Sequence, residues 1–263
     1  MSLKVQDFVD FFADYAPLEL AEGWDNVGLL LGDASQSVRR VLTCLTLTPD
    51  VAREAVAEQV DLVITHHPIL FRPIQRLCAD DPQGAMLLEL ARANVSVYSP
   101  HTAFDSALTG VNQQLAELLQ LSDILPIRPC DDSGLSGSGR WGNLPQSMTL
   151  LEFSSLVRSQ LNAPQLAYTG EATQPVRTVG IACGAAAEFM RDARQLGCDV
   201  LLTGEARFHA SLEARTLGIG LVIAGHYQTE RPAIENLACH LREQFALEAC
   251  WASRAELDPV SWV

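Results

Sequence analysis

Ile64-Thr65-His66-His67-Pro68-Ile69-Leu70-Phe71 is the stretch whose reading decides the fold. The run from Asp61 to Thr65 reads as a buried strand that stops at two adjacent histidines, with Pro68 behind them blocking regular structure. Two imidazoles are thereby presented at a strand's carboxyl end, the edge of a parallel α/β sheet where ligands and metals bind. Taken alone, the pair also fits two loop histidines with ordinary hydrogen-bond partners.

Two further stretches repeat the arrangement. Val95–Ser99 reads as a strand followed by His101 and, four residues on, Asp105; Leu221–Gly225 reads as a strand followed by His226 and, four residues on, Glu230. One helical turn would point each histidine and its carboxylate the same way, so each pair can offer a nitrogen and an oxygen to one cation. Four of the chain's six histidines then sit just past strand ends, which points to a metal site.

The 263 residues suffice for one large or two modest domains. A formal net charge of −14, with Lys4 as the sole lysine, argues against a broad grip on nucleic acid or on an anionic membrane. No apolar run approaches the ~20 residues of a membrane span, and no basic region precedes an apolar core at the amino terminus, so a cytoplasmic protein is expected. Seven scattered cysteines without a Cys-x-x-Cys give poor support to disulfides or a zinc knot, and several of them sit in apolar strands, where they read as small buried hydrophobes.

In chain order, Ser2 is positioned to cap an amphipathic helix from Val5 toward Tyr15, with Val5, Phe8, Val9, Phe11 and Phe12 on its apolar face. Trp24-Asp25-Asn26 either orients a neighbouring ligand or makes a turn entering a strand. From Val41 strands and helices alternate, which implies parallel pairing. The Gly- and Ser-rich stretch within 129–145 reads as a connecting loop, dividing a first α/β domain (1–128) from a second (146–263). Cys183-Gly184-Ala185 reads as a turn at a helix start, either structural or able to receive a phosphate. Residues 58–67 parallel 195–205, as a duplicated αβ unit would. The expected fold is therefore α/β, two similar domains with mostly parallel sheets and a metal site in the cleft between them, assembled from His66, His67, Asp105, His226 and Glu230.

With these residues in place the chain resembles the NIF-three-like family, whose bacterial members are often called GTP cyclohydrolase I type 2 homologues. The likeness is carried by Trp24-Asp25-Asn26-Val27-Gly28-Leu29, Thr65-His66-His67-Pro68, His101-Thr102-Ala103-Phe104-Asp105, Gly110-Val111-Asn112, Gly139-Arg140-Trp141-Gly142, Thr203-Gly204-Glu205 and Gly225-His226-Tyr227-Gln228-Thr229-Glu230. The resemblance implies a dinuclear metal site from the five residues above and self-association into a toroidal homohexamer. It also implies a defined conformation for the 139–142 loop. Thr46 departs from it, standing where many members carry an aspartate, as does the Cys183-Gly184-Ala185 turn.

Three imidazoles and two carboxylates suit two divalent transition-metal ions among zinc, manganese, iron, nickel and cobalt. Glu230 is expected to bridge the ions and His101 to act as a proton shuttle or as an orienter of the ligands. His209 either faces the same cleft or lies on a helix surface. Two function classes follow: a metal-dependent hydrolase of a nucleotide-like or other small substrate, or a non-catalytic metal-binding oligomer with a storage, delivery or partner-binding role.

Overall fold

The structure is a computed structural model that describes residues 2–130 and 134–261; residues 131–133 of the expected connecting loop lie outside the described residues. The chain divides into two compact units, one built from residues up to Phe104 together with Ile234–Pro259, the other from Asp105–Ala233. Chain order gives α1 (Val5–Tyr15), β1 (Gly28–Leu31), β2 (Arg40–Thr46), α2 (Pro49–Ala57), β3 (Leu62–His67), α3 (Pro82–Arg92), β4 (Ser96–Ser99) and α4 (His101–Ser106). There follow α5 (Val111–Leu118), β5 (Ser122–Leu125), β6 (Arg128–Pro129), β7 (Gly137–Ser138), β8 (Arg140–Thr149), α6 (Leu150–Gln160), β9 (Ala167–Thr169) and β10 (Pro175–Ala182). The chain continues through α7 (Met190–Gln195), β11 (Val200–Thr203), α8 (Phe208–Leu217), β12 (Gly220–Ile223), α9 (His226–Gln244) and β13 (Ala249–Ala252).

The first unit holds a five-stranded sheet in the order β1-β4-β3-β2-β13, parallel throughout except for β1 at one edge. Its crossover helices start where local chemistry says they should. Thr48 Oγ1 accepts from the Val51 N–H ahead of α2, and Asp81 Oδ2 accepts from the Gly84 N–H at 2.8 Å ahead of α3, each with a proline at the first helical position. Val51, Ala52, Ala55, Met86, Leu87 and Leu90 then bury against Leu42, Val63 and Val97 of the sheet. Each large side chain so buried contributes about 1.5–3 kcal/mol. At the start of α1 the cap is Lys4 rather than Ser2, with the Lys4 N–H donating to Asp7 at 2.7 Å.

The second unit holds a six-stranded sheet in the order β5-β8-β10-β11-β12-β9. Only β10, β11 and β12 run parallel; the pairings of β5, β8 and β9 are antiparallel, so parallel strands form its centre but not its majority. The alternation of helix and strand that signals parallel pairing is confined to residues 175–223, which is why the edges read differently.

Two expectations about domain layout are corrected. Residues 140–145, expected in a connecting loop, are the first part of β8, where Trp141 and Gly142 pair with Gly180 and Val179. Gly142 is there for close approach rather than for a turn: a Cβ on it would lie 2.7 Å from the Ser122 carbonyl oxygen. The division at 128/146 also fails, because 105–128 cluster with the second unit and 234–259 with the first. Long-range bonds explain the return: β13 pairs with β2 through Cys250 and Val41, and Glu54 accepts from Trp251 Nε1, Ser253 Oγ and the Arg254 and Ala255 N–H groups. Among the described residues no helix is long and apolar enough to cross a membrane.

Candidate metal centre

In the first unit, β3 ends on His66 and His67, and His101 opens α4 just after β4. One ligand atom from each of the three lies within 4.8 Å of the others. The ring centroids of His66 stand 5.2 Å from those of both His67 and His101. The strand register sets this up, because β3 and β4 run parallel with Ile64 beside Tyr98, so their carboxyl ends come out together. Ser99 Oγ donates to the His66 carbonyl at 2.7 Å and ties the two ends. His101 carries a φ of +29°, sparsely populated for a residue with a side chain, directly after Pro100.

Each outer histidine is held by a partner behind it. The Asp25 carboxylate, its side chain fully buried, meets His101 Nδ1 at 2.8 Å and also accepts from the Thr102 N–H and hydroxyl and the Asn26 N–H. Burial works against the Asp25 charge, but the bonds from His101 and Thr102 outweigh it and hold the carboxyl at about 2. A carboxylate accepting from Nδ1–H leaves Nε2 of the neutral ring with its lone pair, the state a metal requires. His67 Nδ1 stands 2.7 Å from Thr46 Oγ1. Thr46 thus offers His67 a hydroxyl as its partner. Thr46 is itself fixed by Glu256, a buried carboxylate accepting from the Leu45 N–H at 2.8 Å and the Thr46 N–H at 2.5 Å.

The second unit assembles an acid-rich set. His226 and Glu230 share the first turns of α9, which begins at His226, and His226 Nε2 lies 3.0 Å from Glu230 Oε2. His226 Nδ1 is 2.9 Å from Glu205 Oε1. Burial disfavours a charge on His226, yet the hydrogen bonds and charges of Glu230 and then Glu205 prevail and push its pKa up to about 9. Asp105 joins the set through Cys183, whose thiol donates to Asp105 Oδ1 at 3.4 Å. Burial, with Asp105 and Glu230 nearby, pushes the Cys183 thiol well up.

Three glycines make room for this set. A Cβ on Gly184 (φ +63°) would stand 2.4 Å from Glu230 Oε1, one on Gly204 would stand 2.9 Å from the His226 Cα, and Gly225 (φ +96°) takes the chain into α9. The Cys183-Gly184 turn therefore accommodates a carboxylate rather than a phosphate, and α7 starts only at Met190. Arg140 fastens the segment after Asp105. Fully buried, it donates to the carbonyls of Ser106, Ala107, Gly137 and Gly139 and to Gln113 Oε1.

The sequence reading placed His66, His67, Asp105, His226 and Glu230 together as ligands and gave His101 a proton-handling role. His101 stands with His66 and His67, one ligand atom of each within 4.8 Å of the others, while His226 meets Glu230 and Asp105 accepts from Cys183. His209 is exposed on α8 beside Phe208, and His240 stacks on Tyr15 at 4.9 Å. Asp25, which meets His101, lies in the Trp24-Asp25-Asn26 stretch read as orienting a ligand or as a turn, and Glu205 lies in the Thr203-Gly204-Glu205 stretch; Glu256 carried no signal. The donor sets fit a first-row divalent ion: imidazole nitrogens at a buried strand end in one unit, carboxylates and an imidazole in the other.

The sequence matches the family Duf34/NIF3 (NGG1p interacting factor 3) over residues 3–259. It is 30% identical over 264 residues to the GTP cyclohydrolase 1 type 2 homolog of Clostridium perfringens, covering 99% of this chain and 100% of that one. It is 34% identical over 236 residues to the protein of the same name from Clostridium acetobutylicum, covering 89% and 88%. Among solved structures, Staphylococcus aureus protein SA1388 superposes with a TM-score of 0.91 at 26% identity, covering 99% of both chains. On its sequence and on its fold alike, this chain belongs to the Duf34/NIF3 family.

Proposed function

We propose that this protein is a dinuclear metal-binding hydrolase of the cytoplasm, acting on a nucleotide-like or other small substrate as a toroidal homohexamer. The observation that carries the reading is the trio His66, His67 and His101, one ligand atom of each within 4.8 Å of the others, with Asp25 and Thr46 fixing the outer two rings. Asp105, His226 and Glu230 would supply the oxygen-rich remainder of the ligands. A pair of divalent ions held by these residues would supply Lewis acidity toward an oxygen of water or substrate. The chain's own residues do the rest. Asp25 keeps the His101 proton on Nδ1 and Glu205 holds His226 Nδ1, while Glu230 lies buried beside His226 Nε2.

The test is metal analysis after chelation and resupply with zinc, manganese, iron, cobalt or nickel, followed by a nucleotide hydrolysis panel on wild type and Glu230→Gln. Two ions per chain in wild type, with hydrolysis lost in the variant, supports the reading. Two ions with no turnover on any substrate turns it into a storage or delivery role, and no retained ion removes it.

A further inference from the structure

We propose that Trp24 is a stacking platform for a planar heteroaromatic ring of the molecule handled at His66, His67 and His101, an inference that rests on the metal reading above. Trp24 is 60% exposed and Phe71 is 46% exposed. Their rings meet edge to face at 5.8 Å, and the Trp24 ring also stands 6.3 Å from His101 at a steep angle. The indole therefore lies in ring contact with a candidate ligand while leaving most of its surface to solvent.

A single exposed apolar residue needs no explanation, but this one is rigidly mounted. Asp25, directly after it, is locked by His101 and Thr102. Asn26 Nδ2 donates to the Leu70 carbonyl at 2.6 Å, immediately before Phe71, and the Glu22 N–H donates to Thr102 Oγ1 at 3.0 Å. Three consecutive residues thus present the indole, fix the histidine beneath it and fix the backbone that carries its aromatic neighbour. The core gains little from this, because the indole is not in it. A flat ring does gain, since an indole carried on a held segment offers a large stacking face for little loss of freedom.

Charge points the same way. With a net charge of −14 and one lysine, the protein has no broad field to draw in an anionic substrate. The metal ligands would then meet the polar end of such a molecule and the indole its flat part, the usual division of a small-molecule site.

The experiment is calorimetric binding of GTP and of inorganic triphosphate to metal-replete wild type, Trp24→Ala and Trp24→Phe, with metal content and sedimentation measured on each. Stacking on an aromatic predicts GTP binding weakened about tenfold or more in Trp24→Ala and kept within about threefold in Trp24→Phe, with triphosphate binding and metal content unchanged. Equal GTP affinity in wild type and Trp24→Ala overturns the proposal. So does an equal loss for both ligands, or a change of assembly state in Trp24→Ala, which would make the indole a contact between copies. Wild type that binds none of GTP, ATP or flavin mononucleotide also overturns it. If no ion is retained but Trp24→Ala still weakens GTP selectively, the metal reading falls and the platform stands.

Discussion

Asp61 in the first unit and Asp199 in the second do the same job. Each carboxylate accepts from two consecutive backbone N–H groups at the start of the neighbouring strand: Arg39 and Arg40 at 2.8 and 3.0 Å, Arg177 and Thr178 at 2.8 and 2.9 Å. Each follows a residue with positive φ two positions earlier, Gln59 at +53° and Gly197 at +83°. The strands that follow end differently. β3 finishes on two histidines, whereas β11 gives way to Gly204, which leaves the space that the start of α9 fills. One scaffold thus serves two purposes, carrying donors on a strand end in one unit and clearing room for donors on a helix in the other.

The largest way to break this comparison is Arg140→Met. It strips five donors from four carbonyls and a side-chain amide in the second unit, and nothing comparable exists at the first unit's strand ends among the described residues. Losing so buried a hydrogen-bonded charge should lower unfolding free energy by about 3–5 kcal/mol, read by denaturant titration. Next comes Gly184→Ala, which puts a methyl group against Glu230 at a left-handed position. Metal affinity of the second unit's ligands should fall up to about 100-fold, with the ion bound through the three histidines retained, as equilibrium dialysis would show.

Asp61→Ala and Asp199→Ala sharpen the likeness itself. Each leaves two backbone donors unmatched, so each should cost about 1–3 kcal/mol, and the two losses should agree within the error of the melts. A large disparity would show that the matching geometry hides unequal roles. The smallest effect belongs to Glu256→Gln. One amide end of the new side chain faces a backbone N–H, which should loosen Thr46 and, through it, His67, lowering metal affinity about tenfold with the fold intact.

The parts of this architecture that were legible in the sequence are those written in adjacent residues. Thr48-Pro49 and Asp81-Pro82 announce helices through their own caps, and strand runs ending in His66-His67, His101 and His226 announce where donors emerge. What was not legible depends on partners far along the chain. Glu256 reaches Thr46 across 210 positions, Trp251 reaches Glu54 across 197, and Asp25 reaches His101 across 76. Nothing local distinguishes Glu54 or Glu256 from a solvated acid, and the sequence around Asp25 fits a turn as well as a ligand partner. β8 was hidden for another reason: glycines that read as loop signals at 137–142 instead permit close strand packing.

The route of the chain through its two units bears on how it is made. Everything from Asp105 to Ala233 has emerged from the ribosome before β13 and Glu256 exist to complete the sheet that begins near the amino terminus. Synthesis ordinarily favours the amino-terminal portion. Here the sheet of the outer portion cannot be completed until its final strand is made, so a premature stop after residue 233 would leave β2 as an open edge.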